Sequence, residues 1–126
     1  MEKKELYEEI TETIISAALK IHNTLGCGFL EKVYENALVH EMRKRGLQVE
    51  TQKPIQVVYD DIIVGDYKMD IIVEGKVIVE LKASGVIEEV HKAQLLNYLR
   101  ACNLRLGLIF NFSKPRLQVK RMVYGF

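Results

Sequence analysis

Residues 67–82 constrain this chain more than any other stretch. Two apolar segments of period two flank Glu74-Gly75. The odd positions Tyr67, Met69, Ile71 and Val73, then Val77, Val79 and Leu81, are apolar throughout, whereas the even positions hold Lys68, Asp70, Ile72, Ile78, Glu80 and Lys82. Side chains of a strand alternate between faces, so the pattern predicts an antiparallel hairpin that buries its odd face. Both odd sets meet one core only if paired residue numbers sum to an even value. A two-residue Glu74-Gly75 loop pairs Val73 with Lys76 and fails that condition. A three-residue loop, Val73-Glu74-Gly75, pairs Ile72 with Lys76 and sets Gly75 where φ > 0 is needed. The three-residue loop is the expectation.

The hairpin has a chemical consequence. Asp70, Glu80 and Lys82 share the even face, and Asp70 falls opposite or diagonal to Glu80, at the roughly 5–8 Å of cross-strand neighbours. Two carboxylates at that spacing can grip one divalent cation, and Mg²⁺ favours one or two carboxylates with waters and phosphate oxygens completing its shell. Lys82 beside them can position a water or stabilise charge developing on a phosphate. The competing reading is a surface salt bridge. The flanks Val79, Leu81 and Ala83 weigh against it, because a buried charge needs a partner or a role.

Around the hairpin the period changes. Leu6, Ile10, Ile14, Ala17, Ala18, Ile21 and Leu25 recur at helical steps, which predicts a helix over Leu6–Leu25, stopped by Gly26-Cys27-Gly28. A second helix is expected over about Leu30–Arg45, with Gly46 as its cap. Strand segments follow at Gln48–Lys53 and Ile55–Tyr59 around Pro54, then a turn at Asp60-Asp61, then Ile62–Val64 and the hairpin. A third helix is predicted over Ile87–Cys102, a buried strand over Arg105–Phe110 and a last extended segment over Gln118–Tyr124. The order ααβββαβ implies an α/β (α+β) fold, a mixed β-sheet flanked by helices. No repeat or Pro/Gly-rich linker interrupts residues 1–126, which read as one domain of ordinary size.

Composition narrows the function. The 18 Lys and Arg against 17 Asp and Glu exclude a histone-type polycation that binds by bulk charge. The charge is unevenly placed, however. Residues 1–102 carry 13 basic and 17 acidic side chains, whereas residues 103–126 carry Arg105, Lys114, Arg116, Lys120 and Arg121 and no acid. That segment is either a solvated tail or a basic edge that meets an anionic polymer. Cys27 and Cys102 are far apart and form neither a CxxC pair nor a disulfide framework. The charged start Met1-Glu2-Lys3-Lys4-Glu5 lacks a signal-peptide apolar region, and the apolar runs are too short to span a bilayer. A cytoplasmic protein with reduced thiols, and no membrane partner, is expected.

Asp70 followed after a hairpin by Glu80-Leu81-Lys82 resembles the signature of the PD-(D/E)xK nuclease superfamily. Gly28-Phe29-Leu30-Glu31-Lys32-Val33-Tyr34 is similar to the motif of its small-protein GxxExxY branch, and Gln94 with Tyr98 resembles a QxxxY helix. Cys27 stands between the two glycines where that branch often has proline. The likeness runs from about Ile10 to Tyr124 and implies a restriction-endonuclease-like core. It further implies a Mg²⁺ (or Mn²⁺) site formed by Asp70, Glu80, the Leu81 carbonyl and Glu31, with Lys82 assisting the attacking water and Gln94 orienting the site. Glu31 and Tyr34 share one helix face, and so do His91, Gln94 and Tyr98. Tyr34 either supports the site or packs in the core with its hydroxyl bonded. His91 and Tyr98 are candidate supporting residues, and His22 is expected to cap the glycine turn or hold the second helix. Lys114, Arg116, Lys120 and Arg121 are the candidate nucleic-acid contacts.

Three functions are compatible with these residues. One is metal-dependent phosphodiester hydrolysis of DNA. Another is a catalytically silent nuclease-fold module that binds nucleic acid or a protein partner. The third, a purely structural interaction protein, gives Asp70, Glu80 and Lys82 no reason to share a face. A lone small domain with no specificity domain needs a homodimer or a protein partner to choose its target.

Overall fold

The computed structural model describes residues 7–125. Leu6, expected in the first helix, lies outside the described residues. Three helices and five strands follow in the order ααβββαββ: α1 (Glu8–Leu25), α2 (Glu31–Lys44), β1 (Val49–Tyr59), β2 (Ile62–Val73), β3 (Val77–Lys82), α3 (Glu89–Cys102), β4 (Leu106–Asn111) and β5 (Gln118–Val123). The last extended segment of the sequence is thus a full fifth strand. The sheet order is β1-β2-β3-β4-β5, with only β3 and β4 parallel. Their connection is the crossover through α3, which a parallel pair requires.

Helices cover both faces of the sheet. On one face Ile14 and Ala18 of α1 and Leu38 and Met42 of α2 pack on Ile71, Val73, Val79 and Phe110. On the other, Leu95 and Leu99 of α3 pack on Met69, Ile72, Ile78 and Ile109. This accounts for the apolar runs Val77–Val79 of β3 and Leu106–Phe110 of β4, since a strand segment covered on both sides has no solvent face. Gly107 lets α3 approach closely: a Cβ there would lie 2.8 Å from Leu95. Gly46 ends α2 with φ 90°, its N–H bonded to the Arg43 carbonyl and the Leu47 N–H to the Met42 carbonyl, the paired bonds of a left-handed helix stop. Pro54 does not divide β1, because β1 is the edge strand, where a missing N–H is tolerated.

Two expectations about the hairpin need correction. The loop has three residues and the even parity holds, but it is Glu74-Gly75-Lys76, with Val73 across from Val77. The reason is the turn: Glu74 and Gly75 both have positive φ, 55° and 63°, and the Lys76 N–H bonds to the Val73 carbonyl at 3.0 Å. A primed turn on Glu74-Gly75 therefore leaves Lys76 as the one extra residue before pairing resumes. Glu74 is held further by Gln48, whose N–H donates to its carboxylate at 2.6 Å.

The second correction concerns the face. Tyr67 and Met69 do not share the core of Ile71. Met69 packs under α3, Ile71 packs under α1 and α2, and Tyr67 is 47% exposed. The alternation breaks at Asp70. Across from it in β1, Gln52 takes φ 53°, between the regular pairs Thr51–Ile71 and Lys53–Met69. A left-handed residue in a strand rephases the pleat, as a bulge does. The paired pattern of apolar residues survives on each side of the break, but with opposite sense.

Candidate functional site

Asp70 and Glu80 meet where the sheet forks. β2 and β3 pair over only three residue pairs, from Val73–Val77 to Ile71–Val79. One step further the register sets Asp70 across from Glu80, and there β2 departs with β1 while β3 continues beside β4 to Lys82–Asn111. The fork opens a cavity of about 130 Å³ at the C-terminal end of the parallel pair. Glu31, Asp70, Glu80, Leu81, Lys82, His91, Gln94 and Tyr98 all line it. The residues singled out in the hairpin, at the start of α2 and along α3 therefore converge on one site.

Its electrostatics are those of a crowded acidic pocket. Burial, and then the nearby Asp70 carboxylate, push the Glu80 carboxyl up to about 8. Burial, and then Glu35, raise Asp70, while a hydrogen bond from Glu80 and the charges of Lys32 and Lys82 act in the opposite sense. Burial and then Asp70 raise Glu31. The two carboxyls titrate as a coupled pair, and burial holds Glu80 well above the usual carboxylate range. Glu80 Oε1 is buried and has no hydrogen-bond partner among the described residues. A buried carboxylate oxygen without a partner, on a side chain coupled to a second carboxylate, suits a cation at this cavity. No three His, Cys, Asp or Glu side chains among the described residues converge as a complete metal cage. The donor set fits a hard cation that takes two carboxylates and fills the rest of its shell with main-chain, solvent and phosphate oxygens.

The supporting residues divide by role. Glu31 opens α2 and faces the cavity, whereas Tyr34, three residues on, is fully buried. The Tyr34 hydroxyl donates to the Gly26 carbonyl at 2.6 Å and accepts from the Phe29 N–H at 3.2 Å, and its ring stacks on Phe112 at 4.6 Å. The GxxExxY stretch therefore uses its tyrosine to clamp the glycine loop that aims its glutamate. His22 lies at the end of α1, where its carbonyl accepts the Gly26 N–H of the glycine turn at 2.8 Å; its Nε2 bonds to the Lys114 carbonyl at 2.8 Å and its ring lies beside Phe112. Gln94 Nε2 donates to the Tyr98 hydroxyl at 2.7 Å. His91 closes a capping box on α3, with Nδ1 accepting from the Glu88 N–H at 3.0 Å.

The basic residues do not form one patch. Lys114 and Arg116 sit in the loop after β4, at the sheet end that carries Lys82. Lys120 and Arg121 are successive residues of β5 and point to opposite faces.

Two contributors were missed in the sequence. Glu35 is buried beside the site, bonded by Lys32, and with Gln52 Nε2 3.4 Å away; it raises Asp70. The Lys32-to-Glu35 spacing was its only local signal. Asn111 is fully buried, with its amide donating to the Gly85 carbonyl at 3.0 Å and to Gln118 at 3.1 Å. It fastens the loop that follows Lys82. A lone polar residue in the apolar run Leu106–Phe112 was the available sign.

Fold and site together define an α+β protein with a D-ExK carboxylate pair at the mouth of a forked mixed sheet. The family model of the PD-(D/E)XK nuclease superfamily matches residues 8–122, and the chain belongs to that superfamily. Its five-stranded sheet and three helices form the restriction-endonuclease-like fold. No curated protein and no solved structure matches the chain.

Proposed function

We propose that this protein is a Mg²⁺- or Mn²⁺-dependent nuclease that hydrolyses phosphodiester bonds of DNA. The observation that carries the reading is the buried Glu80 Oε1, without a partner among the described residues, on a side chain coupled to Asp70. Asp70, Glu80 and the Leu81 carbonyl would hold the cation, with Glu31 adding a donor from α2. A bound cation supplies a Lewis acid that acidifies water and offsets charge on the phosphate. Lys82 neutralises developing charge on the phosphoryl oxygens and orients the incoming water. Gln94, steadied by the Tyr98 hydroxyl, hydrogen-bonds whatever occupies the cavity. The Lys114 and Arg116 loop adds phosphate contacts from the same end of the sheet, and Lys120 and Arg121 add charge along β5. The motif around Glu31 and Tyr34 supports placement in the GxxExxY branch, and the chemistry suits a cytoplasmic protein with free Cys27 and Cys102.

Two measurements test the proposal together. Titration calorimetry of the full chain with Mg²⁺ or Mn²⁺ should show a millimolar-or-better site that Asp70→Ala abolishes. Cleavage of supercoiled plasmid should fall by roughly 10²-fold or more in Lys82→Ala. Wild-type protein that takes up neither metal ends the reading. A silent binding module is the second reading, favoured by the incomplete cage of protein ligands; it predicts metal uptake and nucleic-acid binding with no cleavage.

A further inference from the structure

A second cavity, of about 810 Å³, runs between α3 and the β1–β2 arm. It shares Gln94 and Tyr98 with the acidic pocket, so the two adjoin. The arm exists because β2 leaves β3 at Asp70, and it carries Tyr67 toward α3 instead of into the core of Ile71. The Tyr67 and Tyr98 rings lie 6.0 Å apart at 50°, and Tyr67 is 47% exposed. Val57, Val58 and Val90 give the groove apolar walls. Gln56 and Asn97 add amides that can both donate and accept. Arg100 is the one cation of the lining, and no acid lines it. The Arg100 guanidinium has no hydrogen bond or ion pair with the described residues.

That inventory matches the parts of a nucleotide. Exposed aromatic faces stack on any base, amides read base edges, and an unpaired arginine meets a phosphate. It does not match a duplex, whose affinity comes from many phosphate contacts along a cationic surface. A chain of net charge +1 with one groove cation offers little of that. We infer that this groove seats unpaired nucleotides of a single strand, which lead a neighbouring phosphate to Asp70 and Glu80. The preferred substrate then carries an unpaired end, flap or gap. The inference deepens the nuclease reading and rests on it for the position of the phosphate.

Fluorescence anisotropy tests it, using a labelled oligothymidylate and a blunt duplex of equal length, in EDTA with the full chain. The oligothymidylate should bind more tightly. Tyr67→Ala should weaken it by about 5- to 150-fold and leave duplex binding unchanged. Arg100→Gln, at an exposed helix position that does not threaten folding, should weaken it and lower the log–log salt slope by about 0.7. Equal binding of both probes, with Tyr67→Ala and Arg100→Gln silent, overturns the inference. So does a dimer in light scattering that Val58→Asp splits and oligothymidylate does not, because the groove then belongs to a second copy. The two failures are distinguishable. Plasmid cleavage without any dependence on Tyr67 removes the groove and keeps the nuclease. Oligothymidylate binding that depends on Tyr67, in a protein that takes up no metal, removes the nuclease and keeps the groove as a single-strand site.

Discussion

Glu80 is a carboxylate that the fold perturbs strongly, and the proposed metal chemistry rests on it. Its carboxyl is raised to about 8 by burial and by Asp70, against 4.5 in the unfolded chain. The folded protein therefore holds a proton that the unfolded chain has released between those values. The contribution of this one carboxyl to the stability of the metal-free protein is fully present below about pH 4.5 and is lost as pH rises through about 8. Glu80→Gln removes the buried ionisation while keeping the shape. The variant should match wild type at pH 5 and exceed it by about 1–3 kcal/mol at pH 9. Thermal melts in EDTA at the two pH values check this, and a variant less stable than wild type at pH 9 contradicts it. The same residue shows what was legible in the chain. Alternation in residues 77–82 placed Glu80 and Lys82 on one face, but the register that set Glu80 directly opposite Asp70 came from the turn at Glu74-Gly75.

At the scale of elements, the site depends on how closely α3 lies on β4. Gly107 is the close-approach position, and any side chain there meets Leu95 at 2.8 Å. Gly107→Ala should destabilise the protein by about 1–3 kcal/mol through overpacking. Because Leu95 lies one residue after Gln94, the substitution should also displace the polar stripe of α3 and weaken metal uptake. A chemical-denaturation midpoint and a calorimetric titration on one sample check both effects; an unchanged midpoint sinks the argument. The helices themselves were legible, since Ile14, Ala17, Ala18 and Ile21, and then Tyr34, Leu38 and Met42, keep a helical period and are buried. The break at Asp70 was not. It depends on the left-handed backbone of Gln52, a residue type with no preference for that conformation, in a strand that meets Asp70 only through pairing.

At the scale of the whole molecule, the fold lines one cavity with Glu31, Asp70 and Glu80, at the cost of mutual repulsion. Burial raises Glu31, Asp70 and Glu80 alike, and the fork holds them at one cavity. A ligand that binds the folded state alone stabilises it in proportion to the logarithm of its excess. Mg²⁺ at one hundred times its dissociation constant should therefore add about 2.7 kcal/mol at pH 8. The gain should shrink toward pH 5, as protons compete for Glu80, and should vanish in Asp70→Ala. Differential scanning calorimetry with and without Mg²⁺ measures it; equal gains in wild type and variant would place the ion elsewhere. The basic surplus of residues 103–126 looks different at this scale. It is spread over Arg105 before β4, the β4–β5 loop and two faces of β5.

The sequence by itself determined the helices and most strands, the superfamily, and the candidate carboxylates Asp70 and Glu80 with Lys82, because side-chain periodicity and short motifs are local properties. Tertiary structure alone decided the rest. It set Asp70 across from Glu80, turned Tyr67 from the core to a groove, assigned Tyr34 to the glycine loop and buried Glu35 and Asn111 beside the site. Each of these depends on pairing or packing between residues far apart in the chain. The deciding term is the desolvation of a polar group or the phase of a pleat, and neither is set until the partner strand is in place.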